Sequence, residues 1–354
     1  MRIELDKRFL RAAALLLIAA AAFIGATFIF GSGSAAAGTV EPVPPGTSTS
    51  TLLVQNVING LAFGVLLALA SVGLSLIYGT TGLSNFAHGE QVTFGALLAF
   101  FLTTDQPVSI PLVPGTFTIG LPLWLGAILA VIIAGGTGWL QDRFLWNPLR
   151  RRRVAVLQQM IVSIGLSLAL LNLLQWWMGA RRVRLTASSG DRITFGNFYI
   201  GTQTLMSVVI AAIALLAVAL FLLKTRRGRA TRAISDNPAL AAASGIRVDG
   251  IIRLVWVMAA ALAGLGGILL ALFDQGVGFD SGARILLLMF AAVTLGGLGQ
   301  AFGALVGALV VGVVAEVSTV IIAPDMRYAS ALGILILVLL VRPQGILGRK
   351  ERVG

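Results

Sequence analysis

The feature that most constrains this chain is a series of long apolar runs separated by short charged segments. The runs lie near 53–77, 86–104, 120–140, 154–177, 203–223, 251–273, 284–298, 302–322 and 328–341. A helix needs about 20 apolar residues to cross the hydrocarbon of a bilayer, and most of these runs reach that length. Only 11% of the residues are charged and 57% are hydrophobic, against about 25% charged in a soluble domain. A transmembrane β-barrel would alternate apolar and polar residues in short segments, whereas these runs are continuous. The expected fold is therefore all-α: a polytopic transmembrane bundle of about 9–10 spans, counting an N-terminal run from Ala12 to Phe30. The run at 284–298 is short and reads as a full or a partial crossing.

Charge orients the bundle. The segments at 141–153, 224–250 and 342–352 are rich in Arg and Lys, and basic loops stay on the cytoplasmic side. The segments at 105–119 and 274–283 carry only acids, and both fall outside on the same count. One segment dissents: 178–202 is basic, yet span parity places it outside. The net charge of +12 is this positive-inside bias. Basic surface interleaved with stacking aromatics is missing, which excludes a nucleic-acid partner. The chain has no cysteine, so disulfides, thiolate catalysis and Cys-ligated metal are excluded.

The front divides into residues 1–37 and 38–51. The first part is basic and then apolar. It reads as a membrane anchor, or as a cleavable signal peptide with a small-residue site at Ala35–Ala37. The second part, TVEPVPPGTSTST at its core, is an extracytoplasmic Pro/Ser/Thr-rich linker without core-forming residues. The membrane domain is expected over 52–348 and a cytoplasmic tail over 349–354.

Two stretches carry candidate function. In the cytoplasmic segment, SDNPALAAASGI reads as a short helix. Asp236 or Asn237 caps it, Pro238 suits its first turn, Ala241 lies in its Ala-rich body, and Gly245 followed by Ile246 ends it. The second stretch, Tyr78 to Gly95, contains the chain's one histidine. Its glycines and polar residues (Gly82, Asn85, His88, Gly89 and Glu90) mark a partly broken helix near 79–95 that starts again around Phe86–Glu90. Polar groups at membrane depth must be paired or line a cavity. Two readings follow: a broken helix shaping a translocation path, or a tight cytoplasmic turn with His88 and Glu90 capping helix ends. TGLSNFAHGEQVTFGALLA (81–99) echoes LGGLGQAFGALVGALVVG (295–312), which suggests an internal repeat.

Catalytic and cofactor sites are not indicated. One His with one nearby carboxylate is at most half a metal site, and neither HExxH nor GxxxxGK[ST] occurs. No Ser/His/Asp set supports hydrolysis, so neither an enzyme nor a cofactor is expected.

Three blocks resemble the permease subunits of branched-chain amino-acid ABC importers. They are NFAHGE (Asn85 to Glu90) after IYGTTGLS; GRATRA (Gly228 to Ala233) followed by Gly245-Ile246; and GGLG (Gly296 to Gly299), GALVGA (Gly303 to Ala308) and RPQGILG (Arg342 to Gly348) near the end. The resemblance covers about 51–350, and the joint order of the blocks makes it specific. NFAHGE is similar to the first of the two permeases in such systems. The resemblance implies a multi-pass subunit of the bacterial plasma (inner) membrane. It also implies ABC ATPase subunits that bind and hydrolyse ATP, a second homologous permease and an extracytoplasmic substrate-binding protein. The helix around 236–246 would then be the coupling helix that docks on the ATPase. The N-terminal helix and linker are not part of the family's common core. The substrate is expected to be a branched-chain or related amino acid. Alternatives are urea or short amides carried by the same machine, or an ion-coupled secondary transporter. The last requires intramembrane acids, and apart from Glu316 the spans hold few.

Overall fold

The structure is a computed structural model and describes residues 49–109, 115–186, 191–195, 198–323, 326–341 and 345. The segments expected at 1–37 and 349–354 lie outside the described residues, as does most of 38–51 and all of the Arg342–Gly348 block except Gly345.

The elements are α1 (Thr49–Thr81), α2 (His88–Thr103), α3 (Leu123–Gln141), α4 (Asn147–Arg151), α5 (Val156–Met178), α6 (Thr202–Lys224), α7 (Arg226–Asp236), α8 (Pro238–Ala243), α9 (Val248–Phe273), α10 (Ser281–Gly296), α11 (Ala301–Ser318) and α12 (Arg327–Val341). Two small antiparallel hairpins join them, β1 (Val108–Ser109) with β2 (Thr116–Phe117) and β3 (Arg192–Phe195) with β4 (Phe198–Gly201). The all-helical bundle matches the expectation. Each apolar run is a helix, and six membrane-length apolar helices are present among the described residues. α2, α10 and α12 are shorter.

α1 is the central post. It is apolar over most of its length, and Leu66, Leu67 and Leu69 are wholly buried. Small residues let its neighbours approach closely, as lipid-embedded helices require. Gly60 and Gly64 of α1 meet Gly312 and Ala308 of α11 backbone to backbone. α5, by contrast, exposes Leu157, Ile161, Leu168 and Trp176.

The two ends of the bundle sort by charge as expected. At one end Arg151 approaches Asp249, and Gly79 packs on Ser235 and Gly299. At the other, Arg327 pairs with Asp274 and Glu316 at 3.3 and 3.4 Å, and Gln55 bonds the backbone of Tyr199. The dissenting basic segment lies at this second end, beside the 274–283 segment, as span parity requires. Val183 forms an antiparallel bridge with Val277, and Arg182 donates to the carbonyl of Gly276. Glu316, the acid noted within a span, is ion-paired to Arg327.

The segment at 141–153, expected as a loop, is mostly helix. α3 continues through a π turn, Asp142–Trp146, into α4. The reason is Pro148, which has no N–H and would clash with the carbonyl four residues back. The wider turn, closed by Asn147 N–H on Asp142 O, re-registers the helix around it. Burial then fixes the turn. Asp142 is fully buried and accepts from Arg150 at 2.6 Å and from Arg253 at 3.2 Å. Trp146 stacks on Trp256 of α9 with ring centroids 5.2 Å apart. Removing one partner of a buried charge cluster costs about 3–5 kcal/mol. Asp142→Ala leaves two guanidinium groups facing each other, so its thermal unfolding midpoint in detergent should fall well below that of Asp249→Ala, whose carboxylate is half exposed.

Two links turn back into the bundle. α1 ends at Thr81, yet His88, the first residue of α2, places Nε2 3.0 Å from the carbonyl oxygen of Ala70. Ala70 is eleven residues, about 16 Å, short of the end of α1. Residues 82–85 recover that distance without helix. From the external end, the link after Phe273 does the same, because Gly282 at the start of α10 packs against Gly89. The two short helices thus begin together deep in the bundle and run to opposite ends. The order long helix, re-entrant link, short helix occurs twice, as α1–α2 and α9–α10, with opposite orientation. This is the inverted repeat typical of transporters. It pairs 81–99 with the α9–α10 region, not with 295–312 as the sequence echo suggested.

Candidate functional site

The first candidate region is the cytoplasmic α7–α8 unit. α7 is capped by Thr225, whose Oγ1 accepts from Gly228 N at 2.9 Å. Gly228 has no side chain because it sits on Phe221 and Leu222 of the last turn of α6. Thr231 and Ile234 are buried on the same face, while Arg226, Arg227, Arg229 and Arg232 point outward. Asp236, expected as a possible cap of the next helix, is instead the last residue of α7.

Asn237 is the cap. Its Oδ1 accepts from Leu240 N at 3.0 Å, satisfying one of the free donors at the start of α8. Pro238 opens the helix. Gly245 closes it at φ +81°. Its N–H donates to Ala242 O at 3.0 Å, and Ile246 N–H donates to Ala241 O at 3.1 Å. This pair of bonds is a Schellman cap, which requires a left-handed residue. Ala241 faces inward and is buried, whereas Leu240 is 65% exposed. An open groove of about 920 Å³ beside the unit is lined by Arg227, Ala242, Ile246, Arg247, Asp249 and Arg253, among others.

The second region is the deep junction of α2 and α10. Gly82 takes φ +70° to release the chain from α1. Asn85 Oδ1 accepts from Ala87 N at 3.2 Å, and Phe86 N donates to Ser163 Oγ of α5 at 3.2 Å. His88 is fully buried. A carbonyl can only accept, so the His88 proton that meets Ala70 O is on Nε2. Glu90 is buried, and its Oε1 accepts from Ser167 Oγ at 3.3 Å. Gln91 reaches Gln141 at 3.0 Å. Neither His88 nor Glu90 caps a helix: the cap position is Ala87, with no side-chain bond. The link is re-entrant, so the helix is broken near 79–95 as expected.

This junction is polar beyond its pairings. Among the described residues, Ser71 Oγ, Ser75 Oγ, Asn85 Nδ2, His88 Nδ1 and Glu90 Oε2 are buried without a protein partner. Each such atom costs about 1–3 kcal/mol. Groups of that kind persist in a membrane bundle where they serve water or a solute. No cluster of His, Cys, Asp and Glu fit to hold a metal exists among the described residues.

His88, Gly89 and Glu90 lie together at the deep junction, Asn85 sits at the turn just before them, and Gly82 lies apart at the end of α1, where it releases the chain. Asn237, Pro238, Ala241, Gly245 and Ile246 form another group at the cytoplasmic end, adjoined by Asp236. Sequence reading missed Asp280 and Arg284. Arg284 Nε donates to Asp280 Oδ2 at 3.0 Å on the first turn of α10. Its signal was present: an Asp and an Arg four apart, at the head of an apolar run too short to cross.

Re-entrant helices that meet at mid-depth, in an inverted repeat with a capped helix on its basic end, define a multi-pass transport permease of the plasma membrane. The chain belongs to the family described as branched-chain amino acid transport system / permease component, whose profile matches residues 56–340. It is 33% identical to the high-affinity branched-chain amino acid transport system permease protein LivH of Salmonella typhimurium over 306 residues, 84% of this chain and 96% of the relative. It is 31% identical over 315 residues to BraD of Pseudomonas aeruginosa, a permease protein of the same description, with coverage of 84% and 96%. A more distant relative is the ribose import permease protein RbsC of Escherichia coli, 27% identical over 75% of this chain and 78% of its own. No solved structure matches.

Proposed function

We propose that the chain is the transmembrane permease subunit of an ATP-driven importer for branched-chain amino acids. It performs no covalent chemistry itself. ATP is hydrolysed by separate ABC ATPase subunits, and a substrate-binding protein delivers the solute from outside. A second, homologous permease completes the path. α8 is the coupling element: Asn237 and Pro238 start it rigidly, Ala241 seats it, and Gly245 with Ile246 returns the chain to the membrane. The observation that carries this reading is the double cap of a six-residue helix that leaves Leu240 exposed on its open face. So short a helix does not persist in water by propensity alone, and an exposed leucine on its open face suits a groove on a partner. The broken helix at Gly82–Glu90 forms part of the path.

The test is purification of the tagged chain from its native membranes in mild detergent, with mass spectrometry of what accompanies it and uptake of labelled leucine by the reconstituted complex. An ATPase and a second permease in comparable amounts, with ATP-dependent leucine uptake, are expected. A chain recovered alone in several detergents would overturn the importer reading. Uptake of urea in place of leucine would overturn the substrate.

A further inference from the structure

The charges of α10 sit where a membrane helix should have none. Gly282 N donates to Thr93 Oγ1 of α2 at 2.7 Å, and Gly89 lies against Gly282. Residue 89 adjoins His88, which reaches Ala70 of α1. Gly267 of α9 packs on Val92 one turn away. The first turn of α10 is thereby far from either end of the bundle. On this turn Asp280 and Arg284 form an ion pair whose side chains are 34% and 61% exposed. An arginine facing hydrocarbon near the bilayer centre costs at least about 2.5–3.5 kcal/mol, so the open side of this pair does not face lipid.

The surroundings combine charge of both signs with apolar surface. Glu90 lies within electrostatic reach of Asp280, and its Oε2 is buried without a partner. Further along the same face of α10, Leu287 is 47% exposed, and Phe290 packs against Phe86 with centroids 5.1 Å apart. A charged end of both signs is thus followed by an apolar wall. At the equivalent place in the first half of the repeat, α2 carries Gln91, which is neutral and already bonded to Gln141. The charged arrangement belongs to one half only.

We infer that Asp280, Arg284 and Glu90 line the translocation path and recognise a zwitterionic α-amino acid with an apolar side chain. The Arg284 guanidinium takes the carboxylate, for which its planar fork is suited. Asp280 and Glu90 face the ammonium, and Leu287, Phe290 and Phe86 face the side chain. This rests on the permease reading above and adds the residues that touch the solute.

The chain has no cysteine, so a single introduced cysteine is the one thiol on this subunit, read on its separated band. In the complete transporter, Arg284→Cys and Asp280→Cys should react with a water-soluble, membrane-impermeant thiol reagent, and Ile213→Cys, on the exposed apolar face of α6, should not. Leucine should slow the reaction at 280, where Arg284 is still present to take the carboxylate, and leucinamide, which lacks the carboxylate, should not. Arg284→Gln should raise KM for leucine uptake by about tenfold or more, as expected for one lost charge-assisted contact, with Arg284→Lys intermediate. Reaction of Arg284→Cys no faster than Ile213→Cys, in a complex whose wild type accumulates leucine, overturns the inference and leaves the importer reading intact. Equal protection by leucine and leucinamide overturns the carboxylate assignment. Failure of the wild-type complex to take up leucine removes the permease reading and this inference with it.

Discussion

Gly245→Ile is expected to reduce substrate uptake to less than about a tenth of wild type while the protein still inserts and purifies as a single species. The cause is local. Gly245 holds φ +81°, and a Cβ built there meets nothing within 4 Å, so crowding is not the obstacle. The obstacle is the backbone. A β-branched residue in the left-handed region costs at least about 1–2 kcal/mol, and the Schellman bonds to Ala241 and Ala242 depend on that conformation. An effect of that size shifts a local equilibrium about 5–30-fold. α8 has only six residues and cannot absorb the change. The membrane helices share no packed surface with position 245, so insertion is spared. Gly245→Asn is the control, because asparagine tolerates the left-handed region. It should retain most of the uptake. Wild-type uptake by the isoleucine variant, measured in proteoliposomes with the full complex, would sink the coupling role of α8.

That short helix was legible in sequence because its signals are local: a capping Asn, a Pro in the first turn, alanines and a terminal Gly. The apolar runs were legible for the same kind of reason, each carrying its own evidence of length. What escaped reading was set by distant partners. α7 looked like a solvated basic loop, since Arg226, Arg227, Arg229 and Arg232 hide the Gly228, Thr231 and Ile234 face that packs on α6. The 141–153 segment read as a basic loop, while the buried Asp142 with Arg150 and Arg253 holds a continuous helix through a π turn. The sequence echo chose the wrong repeat partner because Phe-Gly-Ala-Leu recurs by composition in helices rich in those residues. The repeat that exists is written in geometry, in one glycine near the start of each short helix. Asp280 and Arg284 were passed over as the edge of a span, because depth cannot be counted along the chain when the link re-enters.

Those two glycines support the second large effect. Gly282→Val should abolish recovery of folded protein, or lower its thermal midpoint further than Asp142→Ala does. A Cβ on Gly89 would lie 2.5 Å from the carbonyl oxygen of Gly282, and a Cβ on Gly282 would press on the carbonyl of Gly89 and on Thr93 Oγ1. Overpacking costs about 1–3 kcal/mol where side chains can yield. Here the opposing atoms are largely backbone, held in helices that are themselves packed on α1 and α9, so the only relief is separation of α2 from α10. Separation also breaks the bond from Gly282 N to Thr93 Oγ1 and withdraws the first turn of α10 from the polar junction. Gly165→Val is the matched control. It adds the same side chain to a helix glycine of α5 with nothing within 4 Å, and its elution profile and melting midpoint should stay near wild type. If Gly282→Val melts with Gly165→Val, the two short helices are not held by this contact, and the mid-depth meeting of their starts cannot be what places Asp280 and Arg284 in the path. If it is lost while Gly165→Val survives, the absence of a side chain at two positions is what allows one permease subunit to present both a histidine-glutamate turn and an ion pair at the same depth.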